Sequence, residues 1–115
     1  MKQYLNSEQT AKLIELGFEK PKNERWVLDV ANESTPSIQN IVKCKDYSIG
    51  ELLSFLPKSI KVNNLSFTLC IHSSNDYWIV EYADIAFGPQ ARLYKEELID
   101  ALFAEIVVLK EEGVI

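Results

Sequence analysis

The chain is poor in the residues from which small chemical sites are usually built: 115 residues include one histidine, two cysteines and four glycines. With His72 as the only histidine, zinc sites that need a histidine pair are excluded, and no C-x-x-C spacing occurs. Cys44 and Cys70 could close a single bridge at most, and without a secretion signal both read as free, buried thiols. The glycines, Gly17, Gly50, Gly88 and Gly113, are dispersed, so none builds a phosphate-cradling loop. No apolar run approaches the ~20 residues of a membrane span. The segment Met1–Asn6 lacks the apolar region of a signal peptide. These absences lead us to expect a cytoplasmic protein with no membrane association, no metal and no cofactor.

Basic charge is also scarce, and it is unevenly placed. The net charge is −5, with nine basic and eight acidic groups in residues 1–61 but three and nine in residues 62–115. Binding a phosphate backbone needs clustered Lys and Arg. Lys20, Lys22, Arg25, Lys43 and Lys45 could form a local patch, but Glu19, Glu24 and Asp46 dilute it, so nucleic acid is disfavoured as a partner.

What the chain does have is the composition of a globular protein, 47% hydrophobic and 25% charged, without an internal repeat. Its length fits one domain spanning residues 1–115. The clearest local signal is Tyr47-Ser48-Ile49-Gly50-Glu51-Leu52-Leu53-Ser54-Phe55-Leu56-Pro57. Ser48 and Glu51 form a capping-box pair, Tyr47 can staple onto Leu52, and Pro57 stops the helix. A first helix is predicted from Asn6 or Ser7 to Leu16, closed by Gly17 with Phe18 placed to meet Leu13. A last helix is predicted over Lys95–Glu112, with Leu98, Ile99, Leu102, Phe103, Ile106 and Leu109 as its packed stripe and Gly113 as its stop.

Alternating polarity predicts strands at Arg25–Ala31, roughly Ile38–Lys45, Leu65–His72 and Tyr77–Tyr82, with Ala91–Tyr94 as a short fifth. Lys58–Asn64 reads as a connection and Ser73–Asp76 as a four-residue hairpin loop. In Tyr77–Tyr82 the core set is read as Trp78, Val80 and Tyr82, because Glu81 shares the other face with Tyr77 and Ile79. The order α-β-β-α-β-β-α predicts an α+β fold, an antiparallel sheet of about four strands with helices packed on one face. The second face would carry Asp29, Thr68, Cys70 and His72 and be partly wet.

That wet face is the candidate site. Cys70, His72 and Asp76 could combine as a thiol or carboxylate beside an imidazole, in a small enzyme or ligand binder. No Gly-rich turn or helix start lies near to supply oxyanion donors, so no residue is assigned a catalytic role and an enzyme is disfavoured. The aromatics Trp26, Tyr77, Trp78, Tyr82 and Phe87 could instead line an interaction face.

The pattern from Tyr47 to Ile60, with Leu65–Ile71, Tyr77–Tyr82, Glu97–Leu102 and the ending Glu112–Ile115, resembles a group of small proteins encoded in phage-derived and mobile regions of Bacteroides-type gut bacteria. The resemblance implies a mobile-element origin, carries over no functional residue and implies no known activity. The expectation is therefore an accessory protein that acts by protein binding or self-association. The alternatives are the small enzyme or ligand binder on His72, Cys70 and Asp76, and a regulator of nucleic-acid transactions acting through a basic patch or an acidic DNA-like surface.

Overall fold

A computed structural model describes residues 1–22, 24–28, 41–84, 86 and 88–115, with the backbone alone at 25–28 and 41–44. Helix α1 (Ser7–Glu15) starts where Asn6 accepts from the Gln9 backbone N–H at 2.8 Å and Gln9 answers to the Asn6 N–H at 3.0 Å. It ends as its glycine foretold. Gly17, at φ 99°, donates to the Ile14 carbonyl and Phe18 to that of Leu13, the paired bonds of a Schellman ending. Helix α2 (Ile49–Phe55) carries the Ser48–Glu51 capping box, and Tyr47 and Leu52 on either side of it are both fully buried. Helix α3 (Leu98–Glu111) closes with the same pair of bonds, from Gly113 to Lys110 and from Val114 to Leu109.

Between these helices lie six strands in two antiparallel sheets. β1 (Glu24–Leu28) and β2 (Ile41–Lys45) form a ladder of their own. β3 (Ser59–Val62), β4 (Leu65–Ser74), β5 (Tyr77–Asp84) and β6 (Gly88–Lys95) form a four-stranded meander in chain order. The α+β class and the four-stranded antiparallel sheet hold. The sheet's membership differs from the prediction: the four strands all follow α2, and β3 occupies the segment read as a connection. Asn63 and Asn64, at φ 54° and 67°, make the two-residue turn from β3 to β4. Consecutive left-handed residues match the right-handed twist of a hairpin, and asparagine tolerates that conformation.

The β4–β5 turn is likewise two residues, Asn75 and Asp76, rather than four, because Ser74 pairs with Tyr77. β6 begins at Gly88, earlier than expected, and Lys95 still pairs with Trp78, so α3 starts three residues later than read. An edge strand can tolerate Pro89, which lacks a donor. The predicted strand ends at 29–31 and 38–40 lie outside the described residues.

The helices cover one face of the meander. Val80 and Tyr82 are fully buried against Leu52, Ile99, Leu102 and Ile106, whereas Trp78 sits half-buried at the strand's start. Cross-links made by polar groups complete the packing. Tyr82 donates its hydroxyl to the Pro57 carbonyl at 2.7 Å, fastening β5 to the end of α2, and Tyr47 donates to the Glu19 carbonyl. Thr10 donates to Asp46 at 2.8 Å inside the protein. The Glu97 side chain, at the start of α3, accepts from the Lys2 N–H at 2.9 Å. Among the described residues no helix is long and apolar enough to cross a membrane.

Candidate functional site

Strand alternation sends every second residue of the meander away from the helices. On this open face Ser66, Thr68, Cys70 and His72 of β4 stand beside Ile79 and Glu81 of β5, with Tyr94 paired to Ile79 on β6. Thr68, Cys70 and His72 are where the sequence pattern put them; Asp29 lies outside the described residues.

The centre of the face is a buried carboxylate between an imidazole and a guanidinium. Glu81 has a side chain 9% exposed, and Ile79 beside it on the same face is 2% exposed. His72 Nε2 lies 3.0 Å from its Oε1, and Arg92 Nε lies 2.8 Å from Oε2. The Arg92 N–H is not aimed along that contact, so Oε2 has a charge partner without a hydrogen bond. The flanking side chains stay in solvent, His72 at 44% and Arg92 at 39% exposure. Burying an ionised carboxylate is costly unless opposite charge or hydrogen bonds come with it, and here the Arg92 guanidinium and the His72 ring nitrogen lie against it.

A β-bulge places Arg92. Val80 pairs with Leu93 and Tyr82 with Gln90, so Ala91 and Arg92 together oppose Glu81. Ala91 adopts φ 51°, the left-handed conformation that lets the extra residue fit. The guanidinium then rests 5.2 Å from the Tyr94 ring centroid, a cation–π contact that further restrains it. An open depression of about 360 Å3, lined by Ser66, Thr68, Cys70, Ala83 and Asp84, continues the face toward the other end of β4.

The sequence-predicted trio is not assembled. Cys70, half-exposed rather than buried, turns its thiol to the Thr68 carbonyl at 3.5 Å. Asp76 is exposed in the β4–β5 turn, and the carboxylate His72 meets is that of Glu81. Among the described residues no three His, Cys, Asp or Glu side chains are grouped to hold a metal ion. Of the predicted interaction aromatics, Tyr77 is 47% exposed and Trp78 half-buried, but Tyr82 belongs to the core. Its side chain points toward the helices, so it cannot serve an outer surface. The Trp26 side chain and Phe87 lie outside what is described. Tyr94, 52% exposed beside Arg92, was not singled out, because its place opposite Ile79 is set by strand register.

One further group was missed on the other side of the sheet. Glu105 of α3 is fully buried, and among the described residues neither carboxylate oxygen has a hydrogen-bond partner. Burial, reinforced by the negative charge of Glu81, pushes its pKa up to about 8, so it is mostly protonated at neutral pH. Burial and the nearby Glu105 also push Tyr82 up to about 12. The position was legible: Glu105 lies three residues after Leu102 and four before Leu109, inside the packed stripe.

Comparison with protein-family models, with curated proteins and with solved structures found no match.

Proposed function

We propose that this chain is a non-enzymatic interaction protein that docks a protein partner on the open face of the β3–β6 sheet. The observation that carries the reading is Glu81, a buried carboxylate that holds two exposed side chains, His72 and Arg92, in fixed positions. Preorganised polar groups beside exposed tyrosines are the composition of an interface centre, where Tyr and Arg are enriched. The thiol of Cys70 and the imidazole of His72 engage different partners, which weighs against a shared catalytic step. The resemblance to mobile-element proteins makes an accessory role in such an element our reading of its setting.

The reading is tested by site-specific crosslinking in lysate of the source organism. A photoreactive phenylalanine analogue in place of Tyr94 should yield a crosslinked partner, and the same analogue in place of Ile14 on α1 should not. Equal yields from the two positions, or a product only from α1, would overturn it. A product that is a dimer of this chain would also overturn it, in favour of self-association.

A further inference from the structure

We infer that the partner of the open face is acidic: a protein segment whose carboxylates lodge against Arg92 and His72. This rests on the docking role proposed above and adds the chemistry of what docks. The first support is the segregation of charge. The chain carries −5 overall, and residues 62–115 contain only three basic groups. One of those three, Arg92, stands on the open face, with His72 beside it and Lys61 on the same side of β3, where Lys61 pairs with Ser66. The carboxylate among these strand positions, Glu81, is buried beneath Arg92 and His72. The acidic groups of this half otherwise lie on α3 and its flanks and in the β4–β5 turn at Asp76, with Asp84 at the far rim of the adjoining depression.

The second support is geometric. Glu81 engages Arg92 through Nε, and among the described residues no group bonds the terminal nitrogens of the guanidinium. Those nitrogens form the planar fork that takes a carboxylate with two parallel hydrogen bonds. Tyr94 beneath the guanidinium restricts its rotation, so little freedom is lost when a carboxylate binds. The adjoining depression offers hydroxyls from Ser66 and Thr68 to the neighbouring residue of the same segment. A nucleic acid would need a track of clustered Lys and Arg along its phosphates, whereas this face offers the single guanidinium fork of Arg92.

The test uses the full chain and a fluorescein-labelled peptide of alternating glutamate and tyrosine, read by anisotropy and by amide chemical shifts. Binding should weaken as salt rises, and the shifts should centre on His72, Arg92 and Tyr94. The glutamine counterpart of the peptide should bind about ten-fold more weakly, as should the glutamate peptide to Arg92→Gln. Because Arg92→Gln also unpairs Glu81, Lys61→Gln serves as a second variant; Lys61 is exposed at the sheet edge, and its loss should weaken binding several-fold. Lys12→Gln on α1 should change nothing. Equal affinity for the two peptides, shifts centred on the helices, or tighter binding of a single-stranded oligonucleotide would overturn the inference. If crosslinking from Tyr94 still captures a partner with both cation variants, the acidic chemistry falls while the docking role stands. If crosslinks form only from α1, both fall.

Discussion

His72 reaches past its direct cross-strand partner, Ile79, to meet Glu81 on the diagonal, Nε2 to Oε1 at 3.0 Å. With Arg92 on the opposite side, the carboxylate is flanked from both neighbouring strands. This arrangement makes its members unequal. Glu81→Gln leaves an exposed guanidinium and an exposed imidazole that water can solvate, so it should cost about 1 kcal/mol. The double variant His72→Ala with Arg92→Ala leaves a buried carboxylate unpaired and should cost about 3 kcal/mol. Urea unfolding of the two variants measures the difference. Equal costs would mean that Glu81 is not held in the way described.

Glu105 makes stability depend on pH in a defined direction. Its pKa is about 8 in the folded protein against an ordinary 4.5, so the folded state keeps a proton that the unfolded state releases. Stability should therefore fall as pH rises from about 4.5 to about 8 and level off above that. Glu105→Met, similar in length and without a charge, should remove this slope. At pH 7.5 it should be more stable than the parent by on the order of 3 kcal/mol, and the gap should narrow as pH falls toward 4.5. Melting both proteins across this range checks the prediction; an unchanged slope in the variant would refute it.

The start of α2 depends on Ser48. Its hydroxyl accepts from the Glu51 N–H at 3.3 Å, and the Glu51 carboxylate accepts from the Ser48 N–H at 3.2 Å. Ser48→Ala should cost about 1 kcal/mol, whereas Ser48→Asp, which keeps an acceptor and places negative charge at the helix start, should cost less. Chemical denaturation separates the two. Because α2 packs against the core through Leu52, the loss should appear in global unfolding rather than as local fraying.

Ala91 holds a left-handed backbone at the β6 bulge, φ 51°, where an L side chain is disfavoured. Ala91→Gly should relieve that strain and raise stability by about 0.5 kcal/mol, part of the gain being offset by the freer unfolded chain. Amide shifts of Arg92 and Glu81 should stay in place, since the bulge geometry is unchanged. A destabilised variant would show that the Ala91 methyl contributes more through packing than its backbone costs.

Local chemistry explains which elements could be read in advance. Both glycine-terminated helices and the Ser48 cap are set by neighbouring backbone groups a few residues apart, so Gly17, Gly113 and Ser48 announced them. The alternation of Leu65–His72 identified β4 and its faces. β3 escaped because Ser59–Val62 is only four residues long and its turn, Asn63-Asn64, lacks the glycine that usually marks one. β6 was read short because Gly88-Pro89 is turn chemistry that an edge strand can absorb.

The sequence by itself determined the α+β class, the ends of its helices and the inward face of β5, because these follow from hydrogen bonds and polarity within a few residues. The tertiary structure decided the membership of the sheet and the identity of the site. His72 could pair with Asp76 or Glu81 as far as sequence distance is concerned; strand register brought Glu81 within 3.0 Å and left Asp76 in the turn. The bulge at Ala91 then set Arg92 beside the same carboxylate. Register and bulge are set by long-range pairing between strands, so the charges that meet on the open face become visible only once the sheet is formed.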